Sequence, residues 1–232
     1  MSFLKAEWRK LIMANYEVNP KVLKPYLPFG TELDFFEDKC YVSLVGFMFM
    51  NTKLLGIKVP FHVNFEEVNL RFYVKRENKR GVVFIKEIVP KPALTFVANS
   101  IYKENYSTLP MSHYWSEKEE EIDVSYRWEL NNRQNLVEVT ANKIPIEIEE
   151  NSITEFIAEH YWGYSKAGDK KTTEYEVKHP KWKYYSINDY KVDVDFTANY
   201  GSKFSFLNNQ KPSSVMLLEG SEVSVENKRI IK

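Results

Sequence analysis

The chain has 232 residues, of which 32 are basic and 32 acidic, so its formal net charge is zero. This balance argues against nucleic acid or an anionic membrane as a partner, and the length suits one domain over residues 1–232. The single cysteine, Cys40, excludes an intramolecular disulfide and is expected to be a small buried side chain. Neither a signal-like start nor an apolar run of about 18 residues occurs, which favours a soluble cytoplasmic protein.

The N-terminal quarter of the chain predicts two strands with a short helix between them. Residues 8–18 alternate loosely between apolar and polar side chains, as a strand does. Asn19 can cap a helix whose first position is Pro20, so a short helix is expected over residues 21–27. Residues 41–50 are apolar on both faces, which is typical of a central strand that is covered on both sides.

The next strand, predicted over residues 65–76, has one apolar and one polar face. At the two-residue period of a strand, the apolar face holds Val68, Leu70, Phe72 and Val74, and the polar face holds Glu67, Asn69, Arg71 and Tyr73. In a cavity, the polar face would recognise a small polar or carbonyl-bearing molecule, whereas on the outside it would be ordinary solvated surface. The residues of this segment leave both interpretations open.

The rest of the chain predicts further strands. They are expected over residues 82–89, 94–102, 122–130, 136–141, 175–178, 192–196 and 215–225, the last one broken at residues 219–221. Turns at Arg80-Gly81 and Asn131-Asn132 would make two hairpins of the neighbouring strands.

One long helix is predicted among these strands. Ser152 and Glu155 form a capping box at its start. An apolar stripe at helical spacing, which includes His160 as an expected core histidine, extends the helix to Tyr164. The predicted fold is therefore a mainly β (α+β) domain of mostly antiparallel sheets, with one long and one short helix.

Short motifs spread over most of the chain resemble those of a known family. They are Trp8, Leu27-Pro28-x-Gly30-x-Glu32-Leu33-Asp34, Phe65-x-Glu67-Val68-Asn69-x-Arg71-x-Tyr73-Val74, Gly81-Val82-x-Phe84, Phe156-x-x-x-His160-Tyr161, His179-Pro180-x-Trp182 and Glu219-Gly220-Ser221. On these motifs the chain resembles the YqjF-like family of conserved bacterial proteins, in the acetoacetate decarboxylase-like superfamily. The resemblance implies antiparallel sheets around a central hydrophobic cavity, and it brings no established reaction.

The resemblance also implies which residues reach that cavity. The enzyme after which the superfamily is named forms a Schiff base between a lysine and a keto acid, and a glutamate lines its cavity. Matching the segments in order puts Glu67 on the stretch of that glutamate, which implies that Glu67 points into the cavity. Tyr106 falls on the position of the lysine, whereas Lys103 lies three residues earlier with the opposite parity, so Schiff-base chemistry is not expected.

Two functions of different classes are consistent with these residues. The first is an enzyme for a small organic acid or carbonyl compound, in which Glu67 is the base and Arg71 holds an anion. The second is a non-catalytic binder of small hydrophobic or aromatic molecules, which the polar face would orient. A third interpretation is structural, with the polar face salt-bridged to itself. The candidate ligand-binding side chains are Asn69, Tyr73, Tyr102, Tyr106, His179 and Trp182.

Other kinds of site are not supported by the sequence. The spacing of histidines and cysteine gives no metal site, and no phosphate loop or dinucleotide motif occurs, so no cofactor is predicted. His179 suits either a turn or a lid over a pocket. The run Lys181-Trp182-Lys183-Tyr184-Tyr185 is interpreted as the solvated face of an edge strand rather than as a surface for nucleic acid. Edge strands also allow a homo-oligomer.

Overall fold

The computed structural model describes residues 2–102 and 104–232, apart from the side chains of residues 101 and 102. Its strands are β1 (Leu4–Glu17), β2 (Glu32–Leu33), β3 (Tyr41–Leu54), β4 (Phe65–Arg76), β5 (Lys79–Val89), β6 (Tyr106–Thr108), β7 (Met111–Glu117), β8 (Glu121–Leu130), β9 (Arg133–Asn142), β10 (Ile146–Glu147), β11 (Trp162–Gly168), β12 (Lys171–Lys178), β13 (Lys183–Tyr185), β14 (Ile187–Asp193), β15 (Ser214–Val225) and β16 (Arg229–Ile231). Its helices are α1 (Pro20–Leu23), α2 (Pro92–Val97), α3 (Ile153–Ala158) and α4 (Phe196–Tyr200), with 3-10 turns over Lys24–Tyr26 and Ser202–Asn209 and a π-helical turn over Ala98–Tyr102. None of the helices in these residues has the length and apolar character needed to cross a membrane.

Most of the strands form one mixed sheet that closes into a barrel. Among the described residues it has 12 strands, in the order β10-β13-β15-β1-β3-β4-β5-β11-β12-β16, with β2 beside β4 and β6 beside β5. Because β12 also pairs with β15, through Val177 with Val225 and Lys178 with Ser224, the strands β15, β1, β3, β4, β5, β11 and β12 form a closed ring. The pairs of β5 with β6 and with β11 are parallel, so the expected antiparallel architecture is corrected to a mixed sheet.

A second, antiparallel sheet in the order β14-β9-β8-β7 covers one side of the barrel. Its Tyr126 and Trp128 are buried in one core with Val68 and Leu70 of β4. The two sheets approach closely at Gly46 of β3, where an added Cβ would lie 2.9 Å from the Tyr126 ring. The apolar face predicted for β4 is therefore confirmed as a core face, and the opposite face of β4 turns towards the interior of the barrel.

The strand predicted over residues 192–196 ends at Asp193, and Phe196 already begins α4. Two larger predicted elements are also wrong. The helix that was expected to reach Tyr164 ends at Ala158, because the chain from Trp162 onward pairs as β11 with β5 and β12. Residues 94–102, which were expected to be a strand, are helical, since Pro92 lies in the first turn of α2 and fixes a helical φ there. Strand pairing in the first case and proline in the second outweighed the apolar pattern.

Predictions from local chemistry are confirmed at two caps and one turn, whereas the turn expected at Arg80-Gly81 lies instead at residues 77–78, between β4 and β5. Asn19 caps α1 by accepting a hydrogen bond from the backbone nitrogen of Lys21 at 2.9 Å, and Ser152 caps α3. Asn131 and Asn132 connect β8 to β9 with φ angles of 53° and 59°, which are the left-handed conformations of a tight hairpin.

Candidate functional site

The interior of the barrel contains a cavity of about 240 Å³. Most of its lining is apolar, with aromatic or large aliphatic side chains from Trp8, Phe47, Phe49, Phe84 and Leu94. Trp8 contacts the rings of Phe47 and Phe49 edge-on, with centroids 5.3 and 5.9 Å away. Ligand sites commonly have volumes of about 300–1,000 Å³, so this cavity suits a small molecule.

The polar face of β4 forms part of the cavity wall. Glu67, Asn69 and Arg71 line the cavity and are 2%, 1% and 7% exposed. In the sheet, β4 lies between β3 and β5, so its alternate side chains Val68 and Leu70 pack on the outer side of the barrel while the polar ones point inward. The structure thus places this face on an enclosed surface rather than in solvent.

Glu67 is held by two hydrogen bonds at the cavity wall. Asn69 Nδ2 donates to Glu67 Oε1 at 2.9 Å, and the Tyr106 hydroxyl donates to Oε2 at 3.2 Å. Burial raises the pKa of Glu67 to about 7, and the two hydrogen bonds and the Arg71 charge limit this increase. A carboxyl group with such a pKa is present in both protonation states near neutral pH, as a general acid or base requires.

Arg71 carries a buried positive charge. Its Nη2 donates to the backbone oxygen of Ile157 at 3.4 Å and approaches Met13 Sδ at 3.8 Å, while Nε has no hydrogen-bond partner. Within the described part of the chain, no carboxylate forms an ion pair with this guanidinium, so the polar face is not salt-bridged to itself. Because guanidinium groups bind carboxylates through two parallel hydrogen bonds, Arg71 suits an anionic group of a ligand.

Two further glutamates lie at the cavity and were missed in the sequence. Glu87 of β5 pairs across from Asn69, and Glu104 precedes β6 and accepts a hydrogen bond from the Tyr175 hydroxyl at 3.1 Å. Burial, with added repulsion from neighbouring carboxylates, raises the pKa of Glu87 well above its ordinary range. The same two causes raise the pKa of Glu104 to about 8. The cavity therefore holds three carboxyl groups among its described residues.

A β-bulge explains why the two-residue alternation of side chains along β5 does not predict that Glu87 faces the cavity. The register between β4 and β5 shifts by one residue, since Leu70 pairs with Lys86 but Arg71 pairs with Phe84. Phe84 and Glu87 both line the cavity although they are three residues apart, an odd spacing that ordinary alternation puts on opposite faces. The available signal was the adjacent charged pair Lys86-Glu87 inside the otherwise apolar segment of residues 82–89.

Three of the predicted ligand-binding residues lie outside the cavity lining. The Tyr73 hydroxyl forms a hydrogen bond with Ser43 Oγ at 2.6 Å, and Trp182 Nε1 donates to Ser221 Oγ at 2.8 Å. The His179 ring stacks on the Trp182 indole with centroids 4.1 Å apart. Neighbouring protein groups satisfy these side chains, so their placement does not support a direct role in ligand binding.

The other predicted residues either line the cavity or lie outside the described part of the chain. Tyr106 lines the cavity, and so does His160, which follows α3 rather than lying on it and packs against the Tyr73 ring at 4.6 Å. Burial lowers the pKa of His160 to about 4, so its imidazole is neutral near pH 7. The predictions for the Tyr102 side chain and for Lys103 lie outside the described residues.

Comparison with known sequences identifies the family of the chain. The profile of DUF2071, a family of uncharacterized conserved proteins, matches residues 5–222. The chain belongs to this family. Over 82 residues it is 29% identical to the uncharacterized protein YqjF of Bacillus subtilis (strain 168), which confirms the resemblance to YqjF. That match covers 35% of this chain and only 34% of the length of YqjF.

Solved structures show that this DUF2071 protein has the acetoacetate decarboxylase-like fold. Acetoacetate decarboxylase from Legionella pneumophila subsp. pneumophila str. Philadelphia 1 is similar with a TM-score of 0.68 and 11% identity, over 99% of this chain and 87% of that one. The enduracididine biosynthesis enzyme MppR, complexed with pyruvate, has a TM-score of 0.69 and 11% identity, over 100% and 91% of the two chains. An acetoacetate decarboxylase-like enzyme from Sphingomonas wittichii RW1 has a TM-score of 0.69 and 8% identity, over 100% and 94%. At these identities the likeness shows the fold alone.

The described lining of the cavity determines which chemical groups are available to a ligand. Among the described residues that line the cavity there is no lysine. Tyr106, which falls by order of segments on the position of the Schiff-base lysine, instead donates its hydroxyl to Glu67. The groups that the described cavity offers are carboxyl, amide, phenol and guanidinium, which can transfer protons and bind charged ligands.

Proposed function

We propose that the protein is an enzyme that moves a proton at the carbon beside the carbonyl group of a small organic acid, without forming a Schiff base. One observation carries this proposal: Glu67, with its pKa raised to about 7, and Arg71, with its partly unsatisfied guanidinium, line the same buried cavity. A base and an anion-binding group are the two parts that such a reaction needs. The similar structure of MppR holds pyruvate, a small oxo acid, which supports this class of substrate.

Arg71 has the role of positioning the substrate. Its guanidinium would donate two parallel hydrogen bonds to the substrate carboxylate, while the apolar lining contacts the carbon chain. The Cα atoms of Arg71 and Glu67 are about 13 Å apart along β4, with Asn69 between them on the same face, so the two groups can reach opposite ends of a small acid.

Glu67 has the role of the base. As a carboxylate it takes a proton from the carbon beside the carbonyl, and the electron pair of the broken C–H bond forms the enolate. The proton on the Glu67 carboxyl group can exchange with solvent before a proton returns to the enolate, at the same carbon or at another atom, and this return regenerates the carboxylate. Asn69 and Tyr106 hold the carboxyl group in one orientation through their hydrogen bonds.

A non-catalytic binder of small hydrophobic molecules is the second candidate. The observation that favours it is the predominance of apolar and aromatic side chains, such as Trp8, Phe47 and Phe84, in the lining. Burial of apolar ligand surface against such side chains gives affinity without proton transfer. In this case the affinity would depend on the aromatic residues and not on the ionisation of Glu67.

Exchange of substrate hydrogen with solvent separates the two functions. The protein is incubated with pyruvate or acetoacetate in D2O, and NMR records deuterium at the carbon beside the carbonyl. We expect exchange with the wild-type protein and a loss of at least about 100-fold in Glu67→Gln, because a general base typically contributes that much. Glu66→Gln is the matched control, since Glu66 is adjacent on β4 but contacts His113 on the other side of the strand.

A different pattern of results would identify the protein as a non-catalytic binder. If no small oxo acid exchanges hydrogen, and hydrophobic ligands raise the melting temperature of wild-type and Glu67→Gln protein alike, the protein is a binder. Loss of that ligand effect in Trp8→Ala and Phe47→Ala would then assign the affinity to the aromatic lining.

A further inference from the structure

The cavity has an acidic end that the proposed proton transfer does not use in full. Glu67, Glu87 and Glu104 come from β4, from β5 and from the segment before β6, and all three line the cavity. Among the described lining residues, Arg71 is the one lysine or arginine. Carboxyl groups thus outnumber fixed positive charges among these buried side chains, and such carboxyls either take up protons or gain a cationic partner.

Unsatisfied acceptors at this end point to a ligand that donates hydrogen bonds. Asn69 Oδ1 and Glu87 Oε2 have no hydrogen-bond partner, although their residues are only 1% and 3% exposed and line the cavity. The nearby hydroxyls of Tyr106 and Tyr175 already donate to Glu67 and Glu104. When Glu87 is ionised, both atoms are buried acceptors without partners, which is costly, and a group with several N–H bonds would satisfy them.

We infer that the acidic end of the cavity, formed by Glu67, Glu87, Glu104 and Asn69, binds a protonated nitrogen group of the ligand, such as an ammonium or a guanidinium. This inference deepens the proposed function, on which it rests for the role of Arg71 as the site for the ligand carboxylate. The ligand class is then a small acid that also carries a basic nitrogen. An organic cation is favoured over a metal ion because, within the described residues, no group of three or more His, Cys, Asp or Glu side chains is arranged to hold one.

The ionisation of the acidic end follows from the groups that face it. These are the carboxyls of Glu67, Glu87 and Glu104, the phenols of Tyr106 and Tyr175, and on one side the Arg71 guanidinium and the neutral His160 ring. Burial raises the pKa values of all three carboxyls, and repulsion from neighbouring carboxylates adds to this at Glu87 and Glu104. Near neutral pH and without ligand, Glu87 and Glu104 are therefore mostly protonated and Glu67 is partly protonated. A bound cation favours their ionised forms, so its binding releases protons and strengthens as the pH rises.

Two probes of similar size and opposite charge test the inference. Benzylamine carries the cation and benzoate the anion, and isothermal titration calorimetry at pH 8 measures both affinities. We expect benzylamine to bind the wild-type protein, to bind at least about tenfold more weakly to Glu87→Gln and Glu104→Gln, and to bind unchanged to Glu66→Gln. Titrations in buffers with different ionisation enthalpies should show protons released on binding. Benzoate affinity should instead fall in Arg71→Gln.

The outcomes separate this inference from the proposed function. Binding of benzoate that depends on Arg71, without binding of benzylamine, overturns the cation site and leaves the proposed function standing. Binding of benzylamine that depends on Glu87, without binding of benzoate, supports the cation site and overturns the role of Arg71. Absence of binding by either probe overturns both.

Two further controls keep the test decisive. Lys103→Met shows whether a lysine of the chain itself neutralises the acidic end: if benzylamine binds this variant and not the wild-type protein, the inference is wrong. Thermal melts followed by circular dichroism show that each variant folds. Glu87→Gln and Glu104→Gln come from separate elements, so failure of one to fold leaves the other as an independent test.

Discussion

Glu66 and Glu67 are adjacent residues of the same type, yet they lie on opposite sides of β4 and have different surroundings. Glu66 lies on the outer side of β4 and contacts His113 Nδ1 at 2.6 Å, in reach of solvent. Glu67 lies on the inner side, where burial raises its pKa to about 7 and Asn69 and Tyr106 fix its orientation. The raised pKa of Glu67 is therefore produced by the side of the sheet on which the residue lies rather than by the residue type.

The raised pKa of Glu67 predicts how stability depends on pH. The carboxyl takes up its proton more readily in the folded than in the unfolded chain, so the folded state is favoured at low pH and loses this advantage as the pH rises towards and through about 7. In Glu67→Gln, the decrease in the free energy of unfolding between pH 5 and 8 should shrink by roughly 2–3 kcal/mol. Urea titrations at both pH values measure this, with Glu66→Gln as control. An unchanged decrease would mean that Glu67 ionises normally.

Strand β15 illustrates how one glycine decides the shape of an element. The sequence predicts a break at residues 219–221, whereas β15 runs without interruption over Ser214–Val225. Gly220 has a φ of 80° and lies so close to β1 that an added Cβ would be 1.9 Å from the Trp8 backbone oxygen. The strand continues because glycine accepts both the conformation and the contact, and Trp8 on the neighbouring strand lines the cavity.

Replacement of this glycine should destabilise the protein through the contact as well as the backbone. Gly56 is the matched control, since its φ is 85° and no atom lies within 4 Å of an added Cβ. We expect Gly56→Ala to cost about 1–2 kcal/mol for the left-handed backbone alone. Gly220→Ala should cost at least about 1–3 kcal/mol more, because β1 and β15 must separate to admit the methyl group. Chemical denaturation measures the loss of unfolding free energy in both variants. Equal losses would show that β1 and β15 accommodate the added methyl group at no further energetic cost.

The cavity exists because the main sheet closes into a barrel. One buried glutamate forms ion pairs with residues of several strands of this sheet. Glu174 of β12 is fully buried and pairs with Lys79 at 3.2 Å, with Arg76 at 3.8 Å and with Arg229. These cations belong to β5, β4 and β16, so the interaction ties non-adjacent parts of the chain together. Since Glu174 does not line the cavity, its role is separable from that of the candidate site.

Loss of this acid should weaken the whole fold. Glu174→Gln removes charge-assisted hydrogen bonds in a buried position, for which we expect about 1.5–3 kcal/mol of lost stability. The comparison is Asp193→Asn, which breaks an exposed pair with Arg133 at 2.8 Å and should cost below about 1 kcal/mol. Denaturant unfolding measures both. Similar costs for the two variants would show that Glu174 has no special part in closing the barrel.

Prediction from sequence succeeded where one residue or a regular period was sufficient. The cap at Asn19, the turn at Asn131-Asn132 and the apolar face of β4 need only local geometry, and all are present. The grouping of Glu67, Asn69 and Arg71 on one face follows from the same alternation. Glu87 and Glu104 were missed, because a bulge breaks the alternation of β5 and because no local rule connects a residue before β6 to the interior of the barrel.

The sequence by itself determined the strand-rich architecture, the family and the content of the polar face of β4, because these depend on periodicity and on ordered motifs. Only the tertiary structure decided that this face is enclosed, that Arg71 meets no carboxylate among the described residues, and that three glutamates share one cavity. The pairing of β12 with β15 is the physical reason. It joins residues about fifty positions apart along the chain and closes the sheet, and closure removes from water the side chains whose pKa values and charges define the site.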